Sequence, residues 1–119
     1  MSLKVLYLDD ETELCEIFFD GFSSDSIHIR VYSEPLEAIE SSKCDPPDVI
    51  FIDYRMAGTR GDIVAQSMPP QTPKYLLTGD NTIQTDYPFV EVLSKLDDWS
   101  RIGEILASMA AKKAADPSG

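Results

Sequence analysis

The apolar residues of this chain fall in short unbroken runs, and between the runs the spacing changes to a helical period or to turn residues. The first run, 3–8, is rich in strand formers and reads as a buried parallel strand, because a strand covered on both faces needs apolar residues at every position. From Glu11 the period lengthens. Leu14, Ile17, Phe18, Gly21 and Phe22 share one helical face, with the acids Glu11 and Glu13 at the favourable end, so a helix over about 11–22 is predicted. Residues 27–32 read as a second strand. Ser33-Glu34-Pro35 then opens a helix through about Ser41, with the proline where its missing amide does no harm. Asp45-Pro46-Pro47 forces an extended break before a third strand at 48–53.

The second half is sparer. A glycine-bounded loop, 56–61, leads to a short helix over 62–68 that Pro69-Pro70 must end. Strands follow at 74–78 and 89–95. The stretch between them, 79–88, is rich in Gly, Asp, Asn and Thr, all poor helix formers. A parallel crossover usually takes at least ~10–12 residues, so the fourth helix is expected to be one turn or absent. The last helix should begin near Asp97 as N-cap and carry Trp99, Ile102, Ile105, Leu106 and Met109 on one side. Five βα units in this order predict an α/β fold with a doubly wound parallel sheet.

In such a sheet the carboxyl ends of the strands converge on one rim, where ligand chemistry gathers. Asp9 and Asp10 end the first run, Asp53 the third, Thr78 the fourth and Lys95 the fifth. Two unit charges about 4 Å apart repel by roughly 4 kcal/mol at an effective dielectric near 20, so three clustered carboxylates require a cation. An all-oxygen donor set favours Mg2+, which is typically held by one or two carboxylates together with phosphate oxygens. Each piece alone has a plainer reading: an acidic pair caps a helix, a threonine sits in a turn, a lysine is solvated. Their joint order points to phosphoryl chemistry, with Asp53 as nucleophile, Asp9 and Asp10 on the metal, Lys95 as a compact positive charge and Thr78 as a hydroxyl donor.

Composition narrows the classes. With 119 residues and 43% hydrophobic content the chain fits one compact domain. A net charge of −11 opposes direct binding to nucleic acid or anionic membrane. Cys15 and Cys44 have no metal-ligand spacing and read as a reduced pair. No apolar stretch approaches the roughly 20 residues of a membrane span, and no signal-peptide pattern is present, so a cytoplasmic protein is expected. His28 lies in the second strand, away from the rim, and has no catalytic partner there.

The set Asp9-Asp10, Asp53, Thr78 and Lys95 resembles the receiver domain of two-component response regulators, of the CheY-like superfamily, over about residues 3–112. The resemblance implies a flavodoxin-like five-stranded sheet in the order 2-1-3-4-5, a receiver domain over 1–112 and a flexible tail over 113–119. It implies phosphorylation of Asp53 by a sensor histidine kinase or histidine phosphotransfer protein. Mg2+ would be bound by Asp9, Asp10, Asp53 and the backbone carbonyl of Arg55. Such a domain is not an enzyme on external substrates; it catalyses only its own phosphorylation and dephosphorylation. It contacts neither DNA nor membrane directly, and weak homodimerisation is left open.

The chain departs from that pattern in places. Leu96 follows Lys95 where the family usually has a proline after a cis bond; a cis bond before another residue costs roughly 2.5–4 kcal/mol, which favours trans here. Val92 stands where the family places a switching aromatic, and Tyr87 and Phe89 are out of register with it. Met56-Ala57-Gly58 replaces the usual Met-Pro. Arg55 and Asp80 flank the site and either tune the lifetime of the phosphoryl group or are simple surface charges. Phe19, off the core arc, is either a docking aromatic or a half-buried edge residue. The main alternative is a pseudo-receiver that signals through protein contacts without phosphate. A flavodoxin-like enzyme or nucleotide-binding protein has little support, since no glycine-rich phosphate loop follows the first strand.

Overall fold

The computed structural model describes residues 2–79, 83–95 and 97–115. The elements run β1 (Leu3–Leu8), α1 (Thr12–Phe22), β2 (Ile27–Tyr32), α2 (Pro35–Cys44), β3 (Val49–Asp53), β4 (Arg55–Met56), β5 (Thr59–Arg60), α3 (Gly61–Ala65), β6 (Lys74–Thr78), β7 (Glu91–Ser94) and α4 (Trp99–Ala115). Five strands form one all-parallel sheet in the order β2-β1-β3-β6-β7, which is the expected 2-1-3-4-5 arrangement. β4 and β5 form a separate two-residue hairpin.

The apolar runs are continuous because both sheet faces are covered. Leu3, Val5 and Tyr7 of β1, Val49 and Phe51 of β3, and Tyr75 and Leu77 of β6 meet Phe18 of α1 and Ile102, Ile105 and Leu106 of α4. Leu6 and Leu8, Ile50 and Ile52 point the other way, onto Ala38 of α2 and Val64 and Ala65 of α3. Phe18 anchors the first layer, its ring 4.1 Å from Tyr7 and 5.5 Å from Phe51 between centroids.

Several expectations are corrected. The buried face of α1 is built on Cys15 and Phe18 rather than on Ile17, which is exposed; the Cys15 thiol donates to the Asp9 carbonyl oxygen. Phe19 is exposed, at 44% of its surface. α2 continues to Cys44, three residues beyond the predicted end, and the loop over 56–61 is the β4-β5 hairpin, turned by Gly58 at φ 82°. α3 closes after Ala65, and Gln66, Ser67 and Met68 form tighter bonds to carbonyls three residues back before the prolines. β7 is limited to four residues, with Phe89 outside it.

The residue before α4 is Asp98 rather than Asp97: its carbonyl accepts from Ile102 N, and its carboxylate accepts from Ser94 N at 2.7 Å. Residues 113–115 continue α4 instead of starting a tail, and Lys113 Nζ pairs with Asp48 at 2.7 Å. Residues 83–90 carry no helix, so among the described residues nothing helical joins β6 to β7. Asp80 and the Lys95–Leu96 peptide lie outside the described residues. Cys15 is buried, Cys44 exposed and both are free. No helix among the described residues is long and apolar enough to cross a membrane.

Candidate functional site

Because the strands are parallel, their ends deliver the polar residues to one rim. β1 ends before Asp9 and Asp10, β3 ends in Asp53, β6 ends in Thr78, and Lys95 is one residue beyond β7. The sheet ladder continues past the strands: Tyr54 N donates to Leu77 O at 2.8 Å, and Lys95 N donates to Thr78 O at 2.9 Å. The backbone after Asp53 and at Lys95 is thereby tied to the end of β6.

Asp9, Asp10 and Asp53 each offer a carboxylate oxygen within 4.8 Å of the others. Lys95 Nζ bridges two of them, 2.9 Å from Asp9 Oδ2 and 3.0 Å from Asp53 Oδ1. Asp9 is fully buried and Asp53 nearly so, whereas Asp10 accepts from Ala57 N in the hairpin loop at 2.9 Å. Asp53, Arg55, Thr78, Lys95 and Glu11 line one small open cavity of about 200 Å³. The Thr78 side chain is buried, and Arg55 is exposed at the start of β4. The predicted set is therefore assembled in one place. An all-oxygen triad with a flexible ammonium beside it fits a hard divalent cation such as Mg2+, for which Asp9, Asp10 and Asp53 are the available side chains.

Burial pushes the Asp53 carboxyl up to about 7, the Asp9 charge adds to this, and Lys95 opposes it. For Lys95, burial works against the charge, but hydrogen bonds to Asp9 and Asp53 outweigh it and the ammonium is held above its ordinary value. Burial raises the Cys15 thiol to about 11, so it remains a neutral, inert thiol. A carboxyl raised in the folded state costs stability as pH climbs from its unfolded value through its folded one. Asp53→Asn should therefore match wild type near pH 4 and exceed it by on the order of 2 kcal/mol at pH 8 without divalent ions. Denaturant unfolding at the two pH values checks this; a constant difference would contradict it.

Gly61 explains how the hairpin approaches Asp53 so closely. A Cβ there would lie 2.5 Å from the Asp53 carbonyl oxygen and 2.9 Å from both Ile52 Cγ2 and Leu76 Cδ1. Its amide donates to Tyr54 O at 2.8 Å, which closes the hairpin over the end of β3.

Two neighbours of the site were not apparent from sequence patterning. Tyr7 donates to Asp9 Oδ2 at 2.8 Å from inside the core, and burial followed by the Asp9 charge keeps the phenol protonated. Glu11 N donates to Asp9 Oδ1 at 3.0 Å. The signal for Tyr7 was its position two residues before Asp9, on the same strand face.

The side of β7 that a fourth helix would cover is altered. Val92 is 44% exposed, and Tyr87 and Phe89, ring centroids 4.7 Å apart, pack instead on the second core layer. Lys74 Nζ, bonded to the Pro69 and Thr72 carbonyls, lies 5.5 Å from the Tyr87 ring centroid. A larger open cavity, about 670 Å³, lies beside this segment between Arg60, Asp62, Thr85 and Val92. It lacks the carboxylate cluster, which lies at the smaller one.

No family profile and no curated relative matches this chain. Solved structures do. The receiver domain of the Francisella response regulator 1452 superposes with a TM-score of 0.77 at 19% identity, over 94% of this chain and 99% of that one. A CheY-like response regulator receiver domain from Methylobacillus flagellatus gives 0.79 at 19% identity, over 92% and 99%. The response regulator TrrA from Thermotoga maritima, in complex with Mg2+ and BeF, gives 0.78 at 20% identity, over 92% and 99%. The fold is that of CheY-like receiver domains.

Proposed function

We propose that this chain is a phosphoacceptor receiver domain of a two-component response regulator, phosphorylated on Asp53 in a Mg2+-dependent reaction. The observation that carries the reading is the convergence of Asp9, Asp10, Asp53, Thr78 and Lys95 on one rim, with Lys95 bridging Asp9 and Asp53. The Mg2+ and BeF in the TrrA complex support it by analogy.

The donor is a phosphohistidine of a sensor kinase or phosphotransfer protein. An Asp53 carboxylate oxygen attacks phosphorus, the P–N bond breaks, and the electron pair returns to the imidazole, leaving an acyl phosphate on Asp53. Bound Mg2+, held by Asp9, Asp10, Asp53 and the Arg55 carbonyl, would neutralise the phosphoryl oxygens. Lys95 transfers its ammonium from the carboxylates to a phosphoryl oxygen, and the Thr78 hydroxyl donates to another. Arg55 and Asp80 tune hydrolysis of the acyl phosphate, which resets the signal. The domain acts on itself alone, in the cytoplasm, and its outputs pass through protein partners.

The exposure of Val92 and the helix-free residues 83–90 favour a second reading, a pseudo-receiver that signals through protein contacts without phosphate. Intact mass after incubation with acetyl phosphate and Mg2+ separates the two. The expected result is one added phosphoryl mass in wild type, lost on chelation and absent in Asp53→Ala. No adduct, under conditions that label another receiver, would leave the pseudo-receiver.

A further inference from the structure

We infer that Tyr7 is a positioning residue for the metal site: its buried hydroxyl fixes the orientation of the Asp9 carboxylate and thereby sets the affinity of the acidic cluster for Mg2+. This rests on the magnesium part of the proposed function and not on phosphorylation itself.

The argument begins with the strand. Tyr7 and Asp9 are two residues apart at the end of β1, so their side chains leave the same face of the sheet. Tyr7 is fully buried, and its ring lies 4.1 Å from that of Phe18, nearly parallel at 15°. The ring thus has no freedom to swing, and its hydroxyl is held at a fixed point 2.8 Å from Asp9 Oδ2.

The lone pairs of Asp9 are then largely committed. A carboxylate offers about four acceptor sites. Oδ2 accepts from Tyr7 and from Lys95 Nζ, and Oδ1 accepts from Glu11 N. Of these donors, Glu11 N belongs to the backbone and Lys95 Nζ is shared with Asp53, at 3.0 Å. Tyr7 is the side-chain donor that bonds Asp9 without also bridging to Asp53. The Asp9 carbonyl is held as well, by the Cys15 thiol at 3.2 Å, so the main chain beneath the carboxylate is fixed independently of Tyr7. What the phenol adds is rotation control of the carboxylate itself.

Without that hydroxyl, Oδ2 would keep Lys95 as its side-chain donor, and the carboxylate could turn about its Cβ–Cγ bond away from Asp10 and Asp53. Loss of an outer partner of a metal ligand typically weakens metal affinity by about 10–100-fold. The lower end suits this site, because Asp10 and Asp53 are unaffected.

The test is a double-mutant cycle read by calorimetric Mg2+ titration of wild type, Tyr7→Phe, Asp9→Asn and the double variant. Phenylalanine keeps the ring and its stacking and removes only the hydroxyl. The expected result is a Mg2+ dissociation constant about 10-fold weaker in Tyr7→Phe, with the same change worth less than about twofold in the Asp9→Asn background.

Equal dissociation constants in wild type and Tyr7→Phe would overturn the inference. So would an undiminished loss in the Asp9→Asn background, since Tyr7 would then act through packing. A wild type that binds no Mg2+ would overturn both this inference and the metal site. A wild type that binds Mg2+ but is never labelled on Asp53 would remove the phosphoacceptor reading, and the dissociation constants would still decide the role of Tyr7.

Discussion

Lys95→Ala is expected to lower stability by about 2–4 kcal/mol near pH 8 and to slow labelling of Asp53 by at least about 100-fold. Removing one partner of a buried ion pair commonly costs about 3–5 kcal/mol, because the remaining charge is left without compensation. Lys95 serves two buried carboxylates at once, at 2.9 and 3.0 Å, and its own side chain is 15% exposed, which moderates the figure. Asp53 has a further escape, since its carboxyl already sits near 7 and can take up a proton. The loss should therefore shrink at pH 5.

The same logic gives Mg2+ a distinctive effect. A ligand that binds only the folded state stabilises it in proportion to its affinity. In wild type the ammonium partly neutralises the cluster before the metal arrives, whereas in Lys95→Ala the metal meets all of the repulsion between Asp9 and Asp53. Millimolar Mg2+ should raise the melting temperature of Lys95→Ala more than that of wild type. Thermal melts with and without the ion check this, and an equal or smaller gain in the variant would mean that Lys95 does not balance the carboxylates.

Gly61→Ala is expected to cost about 3 kcal/mol or more. Overpacking a well-filled site usually costs roughly 1–3 kcal/mol, and here the nearest obstacle, at 2.5 Å, is a backbone oxygen that cannot rotate away. That oxygen belongs to Asp53, so relief must move the end of β3 or open the hairpin. The variant should lose both stability and labelling. Gly21→Ala is the matched control: it lies in α1 with nothing within 4 Å of the added carbon, and should be neutral or stabilising by roughly 0.5–1 kcal/mol. Denaturant unfolding of the pair measures the difference, and similar effects at both positions would contradict the close approach at Gly61.

The strand ends carried most of what was legible in advance. A buried parallel strand is apolar at most positions, so the polar residue at its carboxyl end, as at Asp9 or Thr78, marks the rim without knowledge of the packing. Helix faces were less secure. Leu14, Ile17, Phe18 and Gly21 have helical spacing, but so do Cys15, Phe18 and Phe22, and it is the second set that faces the core. The β4-β5 hairpin leaves no periodicity in the sequence because its strands are two residues long; Ala57-Gly58 is its trace. Tyr7 read as one more apolar strand residue, since a phenol counts as hydrophobic until its hydroxyl meets Asp9. Asp97 and Asp98 are equivalent N-caps by composition, and the bond from Ile102 N to the Asp98 carbonyl selects the second.

The segment between β6 and β7 shows how a composition signal became architecture. Poor helix formers there predicted a minimal helix, and residues 83–90 take none. Tyr87 and Phe89 cover the second core layer in its place, Tyr87 next to Lys74 and its amide bonded to the Thr85 hydroxyl, which in turn donates to Asp62 at 3.1 Å. Phosphorylation of Asp53 would have to be reported without an aromatic at position 92. The hairpin touches both regions: Ala57 N donates to Asp10, and Arg60 pairs with Asp62, which also accepts from Thr85.

The most direct measurement is to treat the phosphodonor-labelled protein with borohydride and map the product by peptide mass spectrometry. Hydride reduces an aspartyl phosphate to homoserine with loss of phosphate, so the acceptor residue is marked permanently. Homoserine at position 53, formed only when Mg2+ was present during labelling, is the expected result. Homoserine at another acidic residue, or unmodified Asp53 under conditions that convert another receiver, would contradict phosphoryl transfer to Asp53.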